Sequence, residues 1–251
     1  AGISILPVEA EHAAPTARAQ ANALVEQVIS ELFAVGTFEV YDQRRTPGAN
    51  ASGELLLGTS LQDAFGRVEL YLTLRERAND RVLWRGSCEL AGDDHAADTR
   101  TAHQLITELS NVLLRHALNA SADNMRYAHN VAYLLQGLFK PRTVAVPDLL
   151  ARLDECFAIE QDSAILYALR STVSMLQIGE HIQPHQLSRQ AVEADVQQTL
   201  DLCQTNGIAM ALASYAEGFF LRNAGFSLEL SRKAIASNPA NPLCWSLHAA
   251  A

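Results

Sequence analysis

His181 and His185 stand four residues apart, the spacing at which one helix face offers two imidazoles to a metal ion. Pro184 lies between them and takes that turn out of a regular helix, so a loop pair without metal is the expectation. Asp93-Asp94-His95 would make a carboxylate–imidazole group, yet the same residues suit the polar start of a helix, and we read them so. Asp154 and Glu155 are adjacent carboxylates; neighbours on a helix point in different directions, which argues against paired acid–base work. Arg44-Arg45 could meet an anion, but in a loop rich in Pro and Gly they read as solvated. Cys88, Cys156, Cys203 and Cys244 form no CxxC and sit in apolar contexts, so small buried hydrophobes are expected, in a reducing compartment. The chain has no GxGxxG, GxxxxGK[ST] or GxSxG, so neither a phosphate cradle nor a nucleophile elbow is in view. No catalytic, cofactor-binding or metal-binding residue is therefore assigned, no cofactor is expected, and the residues of a ligand or partner groove stay unassigned.

The charge balance removes another class. The chain carries 19 basic and 28 acidic residues, a net of −9, and only two of its cations, Lys140 and Lys233, are lysines. Residues 1–120 hold 10 basic and 16 acidic side chains, and residues 121–251 hold 9 and 12. Neither half offers the basic surface that phosphate binding requires, so this segment is not expected to touch nucleic acid. No window approaches the run of about 18 apolar residues that a spanning helix needs, and the opening residues lack a signal-peptide pattern. The chain starts directly in a strand-like run and stops within a helical pattern, from which we expect a piece of a longer protein.

Positioning falls to two blocks of unlike pattern. In Arg67 to Leu90, Val68, Leu70, Leu72 and Leu74 alternate with Glu69, Tyr71, Thr73 and Arg75, and Val82, Trp84, Gly86, Cys88 and Leu90 alternate with Leu83, Arg85, Ser87 and Glu89. Strict alternation means one dry and one wet face, and Ala78-Asn79-Asp80-Arg81 between the runs is turn chemistry, so an antiparallel hairpin is predicted. Before it, Ile3 to Val8 reads as an interior strand. A loop around Pro15 leads to an amphipathic helix through Leu24, Val25, Val28, Ile29, Leu32 and Phe33, stopped by Gly36. Phe38 to Asp42 is a strand, which makes a parallel crossover, expected to be right-handed. After the loop 43–53 come a strand from Glu54 to Leu61, a turn at Asp63-Ala64-Phe65-Gly66, and the hairpin. A helix from about Ala96 to Leu118 carries Leu105, Ile106, Leu109, Val112, Leu113 and Ala117 on one stripe, with both helices expected on one sheet face.

From Ser121, a plausible cap, the pattern is helical throughout, in stretches opening near Ser121, Pro147, Asp162, Pro184, Ile208 and Phe226 and punctuated by Pro or Gly. The expectation is an antiparallel array of helix pairs. Tyr127, Tyr133, Tyr167, Tyr215, Phe219 and Phe220 fall in this block, and two readings stay open: packing residues, or the lining of a concave partner groove. The fold class is thus α+β followed by all-α: a small mixed-sheet α/β domain with two helices over 1–118, then a helical-pair domain over 119–251.

The first block carries a resemblance. ISILPV, the LVEQVISEL helix, FEVYD, and ELLLGTSLQDAFGRVELYLTLRERANDRVLWRG together resemble the TolB-like N-terminal domain, with Gly58-Thr59-Ser60 at the family's glycine strand and Val82-Leu83-Trp84 at its tryptophan strand. The loop 43–53 stands where the family has a short helix. In the second block, Ala213 to Tyr215, Gly218-Phe219-Phe220, Ala234, Asn238-Pro239 and Trp245 resemble a tetratricopeptide repeat; Tyr133, Gly137 and Phe139 echo its first helix, and Leu153 to Asp162 its second. This order of blocks is similar to that of winged-helix transcriptional regulators of the CadC and HilA kind, and the first block also occurs attached to class III adenylate cyclases. The resemblance implies the regulatory, sensory and protein-interaction portion of a bacterial transcriptional regulator, without enzymatic activity. Its partners would be its own DNA-binding domain outside this segment, a protein or small-molecule effector at the domain junction or helical groove, and a second copy of itself. The cytoplasm is the expected compartment, the periplasmic part of a membrane-anchored regulator the alternative; a cyclase module and a stand-alone scaffold are the other functional readings.

Overall fold

The computed structural model describes residues 2–10, 13–35, 38–45, 53–64, 67–90, 95–119, 125–139, 145–179, 189–203 and 206–250. The chain divides into two compact units, Ala1–Phe33 with Phe38–Arg115, and Ala34–Thr37 with His116–Ala251. Together they make a mixed α/β protein whose described residues form a five-stranded sheet and nine α-helices.

In the first unit, β1 (Gly2–Glu9) is followed by α1 (Pro15–Val35), β2 (Glu39–Asp42), β3 (Leu55–Ala64), β4 (Arg67–Glu76), β5 (Val82–Glu89) and α2 (His95–Asn119). The sheet order is β2-β1-β3-β4-β5, with β1 parallel to both its neighbours and β3 to β5 an antiparallel meander. The interior placement expected for Ile3 to Val8 is therefore observed. Its one polar residue, Ser4, is buried and has a reason to be: Arg77 Nη2 donates to its hydroxyl at 3.0 Å.

Register then does what alternation demands. Ile5, Leu57, Leu74 and Trp84 line up across four strands and Leu61, Leu70 and Cys88 across three, with Thr59, Leu72 and Gly86 between those rows. Gly86 is small for a local reason: a Cβ there would lie 2.4 Å from the Trp84 ring and 2.7 Å from Leu105 of α2. The missing side chain lets the indole fold back and α2 reach the dry face. At the hairpin tip Asp80 takes a left-handed φ of 55°, and Asn79 Oδ1 accepts from the Arg81 N–H at 3.0 Å, the turn chemistry for which Asn and Asp are suited.

Two boundaries differ from expectation. Pro15 opens α1 instead of sitting in a loop; at a first helical position its missing N–H has no intrahelical partner to lose. Asp63 and Ala64 belong to β3, opposite Val68 and Arg67, and not to the turn.

The second unit holds α3 (Arg126–Phe139), α4 (Val146–Ile159), α5 (Ala164–Gly179), α6 (Arg189–Leu202), α7 (Gly207–Tyr215), a π-helical segment Ala216–Leu221, α8 (Ala224–Ser237) and α9 (Pro242–Ala250). Ser121 and Pro184, proposed as helix starts, lie outside the described residues. Each helix from α3 to α9 packs on the next, and α3, α5, α7 and α9 also pack successively on one another. The main core runs through Val131, Leu134, Leu149, Leu153, Ile165, Leu169, Val173, Ile208 and Leu212, with a smaller cluster around Val192, Val196 and Ala213. Close approach is built from small residues. A Cβ on Gly207 would meet Asn238 at 2.7 Å, and the buried Ser214 and Ser227 each donate to the other's carbonyl at 2.8 Å.

Candidate functional site

Of the residues singled out for chemistry, His181, His185, Asp93 and Asp94 lie outside the described residues, and His95 is the first residue of α2. Among the described residues no group of three or more His, Cys, Asp or Glu is placed to hold a metal ion. Arg44 and Arg45 correct the solvated reading in part. Arg44 Nη2 lies 2.9 Å from both Glu26 and Asp42, Arg45 Nη2 lies 2.9 Å from Glu26, and the Arg44 side chain is only 11% exposed. Arg44 holds the Asp42 carboxyl below its ordinary range, chiefly by hydrogen bonding, and Arg45 does the same for Glu26. The pair has its counter-charges on the fold itself, because α1 brings Glu26 to the end of β2.

Asp154 and Glu155 diverge as adjacent helical residues should. Glu155 turns toward α3, accepting from Asn130 Nδ2 at 2.9 Å and Arg126 Nε at 3.2 Å; these bonds lower its pKa, Asn130 first. An ionised carboxylate so held is a poor proton donor. Asn130, fully buried, is satisfied on both sides, since Arg152 Nη1 donates to its Oδ1 at 2.9 Å. Arg152 in turn sits over the Tyr133 ring at 5.3 Å.

The next polar group repeats this design one pair further along. Arg170 of α5 lies against both Phe157 and Tyr167, 4.7 and 4.9 Å from their centroids. Its fork reaches Asp195 of α6 through Nε at 3.0 Å and Nη2 at 2.5 Å. That bidentate geometry is the strong form of the ion pair. Tyr127 shares a hydrogen bond with Ser163 at 3.1 Å, and burial raises the pKa of its hydroxyl. Of the aromatic candidates, Tyr127, Tyr133, Tyr215 and Phe220 pack against the apolar clusters. Tyr167 meets Phe157 edge-on at 5.2 Å. Phe219 stacks on Tyr215 at 5.3 Å yet stays 57% exposed.

One arrangement with the form of catalytic chemistry escaped sequence reading: Ser231 Oγ lies 2.8 Å from His248 Nδ1. No local motif announces it, because the two meet only when α9 folds onto α8. Ser231 is fully buried and also bonds the Leu228 carbonyl at 3.0 Å, so no substrate carbonyl can approach it and the bond ties two helices. Cys156 is similarly sequestered, its thiol pushed up to about 12 by burial, which keeps it protonated and unreactive at neutral pH.

No family model matches this chain, and no curated protein does either. What the geometry offers stands on its own. In the second unit the well-placed polar groups, Asn130, Glu155, Arg152, Arg170, Asp195, Ser214, Ser227 and Ser231, join one helix to another. No described helix is long and apolar enough to cross a membrane.

Proposed function

We propose that this chain is a regulatory and protein-interaction module, the non-DNA-binding portion of a bacterial transcriptional regulator, joined to an output domain that these residues do not supply. The observation that carries the reading is the stacking order of α3 to α9. Each helix touches its successor, and the odd-numbered helices alone form a continuous row. That is the arrangement a tetratricopeptide-like array would have, with the first helix of each pair lining the inner surface. The small residues Gly207, Ser214, Ser227 and Ala234 at the closest helix contacts support it. In the first unit, a sheet in which β1 lies between two parallel partners and β3 to β5 continue as a meander supports the TolB-like reading. Under this proposal the module binds a partner along its row of helices and acts without making or breaking bonds.

The test has two parts. The reading frame around these residues should encode a winged-helix domain, and removing residues 116–251 from the chromosomal gene should change a discrete set of transcripts. A cyclase domain in the frame would replace the proposal with regulation of nucleotide cyclisation, and the absence of any output domain would leave a scaffold. Turnover of a substrate by the purified chain would overturn all three.

A further inference from the structure

The sheet has two outer strands, β2 with four residues and β5 with eight. On β5 the Leu90 N–H donates to the Val68 carbonyl at 2.8 Å, so Val68 and Leu90 are a hydrogen-bonded pair. In an antiparallel ladder such pairs alternate with pairs whose backbone groups point away from each other. Leu70–Cys88, Leu72–Gly86 and Leu74–Trp84 are therefore bonded within the sheet, while Arg85, Ser87 and Glu89 turn their N–H and C=O groups outward. Their side chains are exposed on the wet face, and no described strand pairs with them. An open edge of this kind is a template for another strand.

The residues at the edge select which strand. We infer that β5 pairs antiparallel with β5 of a second copy of this chain, continuing the two sheets into one across a two-fold axis at Ser87. Outward-facing residues must meet outward-facing residues, which limits the registers to those that differ by two. With Ser87 opposite itself, Arg85 of each copy faces Glu89 of the other, and opposite charges directly across a strand pair attract. Shifting one way sets Arg85 against Arg85, and shifting the other sets Glu89 against Glu89; the intermediate registers pair neither charge with its opposite.

The same register suits the dry face, where it places the half-buried Trp84 of one copy against Leu90 of the other and Gly86 against Cys88. Within one chain Glu89 stands directly opposite Glu69 on β4, a like-charge pair in which Glu89 meets the largely exposed Arg67 at 3.6 Å. Arg85 of a second copy would answer that surplus. Arg85 itself lies on the same wet face, over Tyr71 of β4 at 4.8 Å, and would turn from that ring toward the open edge to make the contact.

The test is a charge exchange read by sedimentation velocity on the 251-residue chain from about 1 to about 200 µM, a range that reveals micromolar association. The wild type should dimerise. R85E and E89R alone each place like charges opposite one another at two symmetric positions, and each should raise the dimer Kd at least about tenfold. Mixing the two variants should restore a dimer made of one copy of each, since every Glu then faces an Arg. Ser87→Pro removes an outward N–H that the ladder within the chain does not use, and should abolish dimerisation with the far-UV circular dichroism unchanged. A monomeric wild type, single variants that still dimerise as the wild type does, or a mixture that stays monomeric would each overturn the inference.

Discussion

Asp195→Asn tests whether the polar joints between helices hold the second unit together. Asp195 is 11% exposed and Arg170 41%, so the pair falls between two limits. Exposed ion pairs contribute about 0.2–1 kcal/mol, whereas breaking a fully buried pair costs about 3–5 kcal/mol. Hydrogen bonds to charged groups contribute about 1.5–3 kcal/mol. With one partner buried and the other able to recruit water, about 2 kcal/mol is expected for Asp195→Asn. Arg170→Met keeps apolar contact with Phe157 and Tyr167 but gives up both cation–ring contacts, and should cost about as much. The double variant should fall short of the sum by about 1.5 kcal/mol, the coupling of the pair. The chain's two tryptophans fall one in each unit, so Trp245 fluorescence in a Trp84→Phe background reports the helical unit alone. In urea, a 2 kcal/mol loss moves the midpoint by about 1 M. Coupling below about 0.5 kcal/mol would show the contact to be incidental and would refute the reasoning.

Gly86→Ala should destabilise the first unit by about 1–3 kcal/mol, because the added Cβ meets Trp84 and Leu105 at 2.4 and 2.7 Å and one of them must move; Trp84 fluorescence in urea checks it. Burial raises the Glu217 pKa above its ordinary 4.5, with Glu193 adding to the effect. The stability it contributes is therefore fully present below pH 4.5 and is lost as pH rises through the folded value. Glu217→Gln should be more stable than wild type at pH 7, with the gain vanishing below pH 4.5 in thermal melts. Glu155 has the opposite sign, since Asn130 and Arg126 lower its pKa. Its contribution is present above pH 4.5 and is lost as pH falls through the folded value, and Glu155→Gln should flatten that acid limb. In thiol titration, Cys203, the half-buried cysteine, should react first and slowly, and Cys88, Cys156 and Cys244 only on unfolding.

The sheet was legible because its signal is local. Alternation in Val68 to Leu74 and Trp84 to Leu90 placed β4 and β5, and a run with both faces apolar except Ser4 placed β1 inside. What escaped depends on partners far away in the chain. Arg44 looked solvated because nothing beside it reveals Glu26, and Ser231 looked like an ordinary small helix residue because His248 arrives from the next helix. The π-helical turn at Ala216–Leu221 was also hidden. Its closure uses a left-handed Arg222, φ 65°, and an Asn223 N–H that reaches back to the Glu217 carbonyl at 2.8 Å. Arginine carries no intrinsic preference for that conformation, so the sequence around it still reads as plain helix. Cys88, Cys156 and Cys244 are buried, as expected of small hydrophobes in apolar contexts, and Cys203 is half-buried.

The position of β1 sets an order on how the protein is made. Its eight residues are synthesised before either strand they pair with, since both neighbours in the sheet, β2 and β3, begin later, at Glu39 and Leu55. The segment waits unpaired until β2 is made and half-paired until β3 follows, the kind of delay that exposes a strand to wrong partners. Deleting the first nine residues would leave β2 with nothing to lie against and turn β3 into a second open margin.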